Sequence, residues 1–155
     1  MKKLTQHFNG NELSEDDAAK LQEVATDLRR RLIEYSSRTK TPHLASGLSC
    51  MDILTCYYFN VLNFDVAQPN WAQRDKFLLS KGHAAPALFH ALAFAGFFSP
   101  CRLEKATHDG KDVFGEHPPA PYVLPGVEAA TGSLGHGLPI AVGFALAAKK
   151  MKFKN

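Results

Sequence analysis

Cysteine is scarce in this chain, which carries only Cys50, Cys56 and Cys101, an odd number without metal-type spacing. A disulfide framework and a zinc site are therefore not expected, and buried free thiols are. Long apolar runs are also missing, since Gly, Pro or His interrupts each one well short of a bilayer span. The opening Met1-Lys-Lys-Leu-Thr-Gln-His7 has two lysines but no apolar stretch behind it, so no secretory signal is expected. Neither sign of charge dominates: 18 Lys and Arg stand against 15 Asp and Glu, and four lysines fall in the last seven residues. Without a basic stripe or a recognisable module, nucleic acid is not an expected partner. No internal repeat or low-complexity tract is visible. The expected location is the cytoplasm, with no membrane association.

What the chain does contain is ordinary globular material, 45% hydrophobic and 21% charged over 155 residues, enough for one domain with a real core. A single domain over 1–155 is expected, with residues 1–13 as a flexible leading segment. Leu21, Val24, Ala25, Leu28, Leu32 and Tyr35 recur at helical spacing, predicting an amphipathic helix over 14–38 capped by Ser14 with Asp17. A second helix is predicted over 46–61, where Leu48, Met51, Leu54, Tyr57, Tyr58 and Val61 make a broad apolar face. A buried helix is predicted over 85–98, with Pro86 in its first turn, and a short one follows Ser99-Pro100. Between His108 and Thr131 lie Pro118, Pro119, Pro121 and Pro125 together with Phe114, Tyr122, Val123 and Leu124, which reads as an ordered irregular loop.

Two glycine-bearing segments carry most of the information. Asp75-Lys-Phe-Leu-Leu-Ser-Lys-Gly-His-Ala84 reads as a short apolar strand over 76–80 running into a Gly-His turn. Pro125-Gly-Val-Glu-Ala-Ala-Thr-Gly-Ser-Leu-Gly-His-Gly137 reads as a glycine-rich turn opening an apolar helix. Free N–H groups at a helix start, backed by the helix dipole, suit a phosphate-bearing ligand. A single strand cannot make a sheet, so the strand at 76–80 implies a partner that pairs with it.

These two segments, with Thr41-Pro-His-Leu-Ala-Ser-Gly-Leu-Ser-Cys-Met-Asp-Ile53 and Glu116-His-Pro118, resemble the amino-terminal, diphosphate-binding region of transketolases, in the same order along the chain. The resemblance runs from about Leu28 to the end and is most similar to the amino-terminal subunit of split transketolases. It implies an α/β, partial thiamine-diphosphate-binding fold, mostly helical with few parallel strands, whose sheet a partner chain completes. It also implies thiamine diphosphate as cofactor, magnesium held by a partner chain, and transfer of a two-carbon ketol unit between sugar phosphates in a hetero-oligomer. In that family the helix after the glycine-rich turn leads to a strand ending in a Gly-Asp-Gly magnesium motif. Lys149-Lys-Met-Lys-Phe-Lys-Asn155 stands where that strand is expected to start, so the resemblance covers the region before the motif.

The resemblance assigns roles residue by residue. His83 matches the histidine that hydrogen-bonds the cofactor diphosphate, and Gly132, Ser133 and Leu134 match the backbone stretch placed against the cofactor. His43 and His117 match channel histidines that assist proton transfers at sugar hydroxyls. Thr41-Pro42 before His43 departs from the usual pattern, and His43-Leu44-Ala45-Ser46 resembles deoxyxylulose-phosphate synthases. Glu116 replaces a glycine beside His117, and His136 stands where a glutamine is common. No metal ligand is assigned within this chain. His7, His90 and His108 match no motif and read as surface or packing residues. The alternatives left beside the split enzyme are a truncated, inactive fragment, a non-catalytic interaction subunit and, as an enzyme, one similar to deoxyxylulose-phosphate synthases.

Overall fold

The computed structural model describes residues 13–107 and 114–153. His7, His108 and all of the expected flexible segment except Leu13 lie outside the described residues. Helix α1 (Glu15–Thr39) forms where the periodicity predicts it. Ser14 caps it, its Oγ accepting from the Asp17 backbone N–H at 3.1 Å and donating to the Asp17 carboxylate at 2.7 Å. One face buries Leu21, Ala25, Leu28, Leu32 and Tyr35. The outer face is laced by pairs one turn apart, such as Lys20–Asp16 and Arg30–Asp27, both at 2.5 Å; water screens them, so they add little to stability.

The expected single helix over 46–61 is a correction. It is three pieces: α2 (Leu44–Leu48), α3 (Met51–Cys56) and a π turn over Tyr57–Val61. The break has a visible cause at Ser49, whose hydroxyl turns back to the Ser46 carbonyl at 3.0 Å, a local bond that competes with helix continuation. Of the predicted apolar face, Met51, Leu54 and Tyr58 are buried and Leu48 and Val61 half-buried, whereas Tyr57 is exposed.

Helix α4 (Ala85–Ala95) is the centre of the molecule, with every residue from Ala85 to Ala93 buried. It packs against α1, α2, α3 and the π turn, which is why its sequence is apolar nearly all round. It ends before the predicted residue 98 because Gly96 closes it at φ 100°, a left-handed conformation that glycine adopts without steric cost. His90 sits inside this helix as a packing residue. Burial pushes its pKa down to about 4, its Nδ1 lies 2.7 Å from the Pro86 carbonyl, and its ring meets the edge of Tyr35 at 5.4 Å. The short helix after Pro100 is α5 (Cys101–Glu104). Of the cysteines, Cys50 and Cys56 are half-buried while Cys101 is exposed, so the expectation of buried thiols fails for Cys101.

The expected strand over 76–80 is the second correction: no strand is assigned among the described residues. The segment has no neighbouring strand, and a ladder needs two. It is held instead at its ends and by its side chains. Asp75 N–H donates to the Asn63 carbonyl at 2.8 Å, Thr131 Oγ1 donates to the Leu79 carbonyl at 2.6 Å, and Phe77 packs against Tyr57 and Tyr58 at 5.6 and 5.7 Å. Arg74 and Glu128 form a buried ion pair at its start, and the Arg74 Nε–H also donates to the Pro69 carbonyl.

Helix α6 (Gly137–Lys150) follows the glycine-rich turn as expected. Only Gly137 of this helix is buried, and Leu138, Val142 and Leu146 are exposed. Between α6 and the extended segment runs a groove of 880 Å³ lined by Leu78, Val127, Ala141, Phe144, Ala145, Ala148 and Phe153 among others. No helix of the described residues is long and apolar enough to cross a membrane.

Candidate functional site

The two glycine-bearing turns meet backbone to backbone. A Cβ on Gly82 would lie 2.7 Å from the Thr131 carbonyl carbon and oxygen, and one on Gly137 would lie 2.4 Å from the Ser80 Cα. Such approaches exclude any side chain, which explains both glycines without recourse to turn geometry. The Thr131–Leu79 hydrogen bond fastens the same junction. Each turn opens a helix: Gly82–Ala84 is a 3₁₀ turn leading into α4, and Ser133–His136 leads into α6.

Three histidines from separate parts of the chain converge here. His83 lies at the centre, with the His43 ring at 4.8 Å and 84° on one side and the His117 ring at 4.6 Å and 78° on the other. Both contacts are edge to face, the arrangement favoured by aromatic quadrupoles. Gly132 completes the cluster, since a Cβ there would stand 3.0 Å from His117 Cδ2. His43 is exposed while His83 and His117 are half-buried. His43 also has φ 66° at the start of α2, with no side-chain capping bond. Positive φ is uncommon in a residue with a side chain and often accompanies a functional constraint.

The structure thus brings His43, His83, His117 and Gly132 together. Ser133 and Leu134 are exposed on the adjoining turn, where Gly132, Ser133, His136 and Pro139 help line an open groove of 590 Å³. Glu116 is exposed beside His117. No group of three or more His, Cys, Asp or Glu able to hold a metal occurs among the described residues.

Lys81 belongs to this region and was not among the expected residues. Its ammonium donates to the Ser46 carbonyl at 2.9 Å and to Ser49 Oγ at 2.8 Å, joining α2 to the turn that carries His83. A cation placed immediately before a Gly-His turn is the signal that would have marked it.

Paired helix-start turns with imidazoles beside them offer N–H donors of the kind that suit an anionic ligand. Residues 20–155 match the family described as transketolase, thiamine diphosphate binding domain, and the chain belongs to that family. It is 38% identical over 149 residues to an apulose-4-phosphate transketolase subunit of Actinobacillus succinogenes, covering 96% of this chain and 52% of that protein. Its namesake from Phocaeicola vulgatus is 39% identical over 124 residues, 80% of this chain and 43% of its own length. A 6-deoxy-6-sulfo-D-fructose transketolase subunit of a Clostridium species is 35% identical over 135 residues, 87% of this chain and 48% of that protein. The chain therefore spans about half the length of these curated relatives.

Proposed function

We propose that this chain supplies the amino-terminal part of the cofactor and substrate site of a split, transketolase-like enzyme that moves a two-carbon ketol unit between sugar phosphates. The observation that carries this reading is the convergence of His43, His83 and His117 on one another and on Gly132, in a family whose domain binds thiamine diphosphate. The residues fit such a group. Gly132 lets the His117 ring close against the turn, where a Cβ would stand 3.0 Å from its Cδ2, and His83 offers a ring N–H to an anion. When bound, thiamine diphosphate supplies the nucleophilic carbon and the electron sink. In this reading His83 donates to the diphosphate, and the main chain of Gly132, Ser133 and Leu134 lies against the cofactor. His43 and His117 hold or move protons at substrate hydroxyls, a task suited to imidazole because its ordinary pKa lies near neutrality.

The remaining parts come from a partner. The magnesium ligands and the glutamate that activates the cofactor's aminopyrimidine ring belong to other transketolase-like sequence, and a strand of that partner pairs with residues 76–80 and completes an α/β sheet over the groove beside α6. Two features support this: the unladdered extended segment, and the exposed apolar residues of α6. Relatives named as subunits of transketolases point the same way. The assembly is a hetero-oligomer in the cytoplasm, without nucleic acid or membrane, and residues 1–155 form one partial domain of it.

The test is a pair of variants in the reconstituted assembly. His83→Ala is expected to weaken cofactor affinity by about 1–3 kcal/mol, the loss of a hydrogen bond to a charged group. His117→Ala is expected to reduce ketol transfer and leave cofactor affinity nearly intact. Cofactor titration and steady-state kinetics on the same preparations separate the two, and equal, negligible effects of both substitutions would show the roles to be misassigned.

A further inference from the structure

We infer that Lys81 is a positioning residue that sets the contact between His43 and His83, an inference resting on the reading that these two imidazoles serve one site. Helix α2 has five residues, too few to hold a helical conformation unaided. His43 is the residue immediately before it and makes no capping bond of its own, so the place of its ring depends on what anchors α2. Gly47 provides one anchor. A Cβ there would lie 2.9 Å from Leu32 Cδ2 and 3.4 Å from Ala87 Cβ, so this contact fixes α2 against α1 and α4, and α2 also packs on the turn that carries His83.

Lys81 provides the second anchor, and it stands on the turn itself. Its ammonium donates to the Ser46 carbonyl and to Ser49 Oγ, while Ser49 Oγ donates to the same Ser46 carbonyl at 3.0 Å. The three groups make a closed triangle at the end of α2. Hydrogen bonds from an ammonium are charge-assisted and stronger than neutral ones. The Lys81 bonds and the His43–His83 ring contact are then two arms of one bracket between α2 and the turn, and loosening the first arm should free the second.

The experiment is histidine-ring NMR on the full chain, comparing the native protein with Lys81→Met, which keeps the aliphatic stem and removes the donors, and with Lys81→Arg, which keeps donors. In Lys81→Met the His43 ring signals are expected to shift as they lose the ring-current effect of His83, the His117 signals are expected to stay, and the unfolding midpoint is expected to hold. Lys81→Arg should shift His43 less. An unmoved His43 ring in Lys81→Met overturns the inference, as does a concerted shift of all three rings with loss of stability. This readout needs no catalysis, so it stands or falls separately from the proposed activity. In an active assembly Lys81→Met should raise the donor KM by about tenfold, the scale of a charged hydrogen bond, with cofactor affinity unchanged and no added effect in a His43→Ala background. Lost cofactor affinity with an unchanged KM would mean that Lys81 meets the cofactor directly, contrary to the inference.

Discussion

Glu128→Gln is expected to lower the unfolding free energy by about 3–5 kcal/mol, the usual cost of leaving one member of a buried ion pair without its partner. Arg74 and Glu128 have side chains only 9% and 6% exposed, so solvent does little to screen the stranded guanidinium. Arg74 also donates to the carbonyls of Pro69 and Asp75, so its pair with Glu128 ties the start of the extended segment to the stretch leading into the glycine-rich turn. The loss should therefore loosen both turns of the site as well as the core. Replacing both residues, Arg74→Met with Glu128→Leu, should recover most of the stability, because two apolar groups of similar shape leave no charge unpaired. Urea unfolding of the single and double variants measures both effects. A single variant within about 1 kcal/mol of the native protein, the scale of an exposed pair, would show that the pair is solvated in solution.

Gly137→Ala is expected to cost about 3 kcal/mol or more, at or beyond the upper end of ordinary overpacking. The new methyl would meet the Cα, Cβ and Oγ of Ser80 at 2.4, 2.5 and 2.6 Å, and the Cα cannot move without separating the two turns. Gly82→Ala should behave alike, because it meets the backbone of Thr131 and Gly132. Gly143 is the control. It lies in the middle of α6 with nothing within 4 Å of its added Cβ, so Gly143→Ala should be neutral or stabilise α6 by up to about 1 kcal/mol through helix propensity. Thermal unfolding of the three variants gives the comparison, and a Gly137→Ala protein as stable as Gly143→Ala would mean that the turns do not meet.

Much of the helical frame is legible in the sequence for a simple reason: α1 buries one stripe, and the spacing of Leu21, Leu28 and Leu32 records it. Helix α4 is legible for the opposite reason, since a segment apolar on all sides has to be central, and Ala85 to Ala93 are all buried. The break between α2 and α3 is hidden because it rests on one hydroxyl bond, from Ser49 to the Ser46 carbonyl, inside a run whose apolar spacing continues across it. The 76–80 segment has the composition of a strand, but a ladder is a property of two segments and composition describes one. Likewise the apolar character of α6 does not record what covers it, and Leu138, Val142 and Leu146 are exposed. The convergence of His43, His83 and His117 leaves no trace in their spacing. It became an expectation through resemblance to transketolases, and the ring contacts give it geometry.

The measurement that bears most directly on the proposed division of the cofactor site is calorimetric titration of thiamine diphosphate with magnesium, into this chain alone and into the chain co-purified with a transketolase-like partner. On the proposed division of the site, the chain alone should bind weakly or not at all, and the assembly should bind well. Sub-micromolar binding by the lone chain would contradict the division of the site between this chain and a partner.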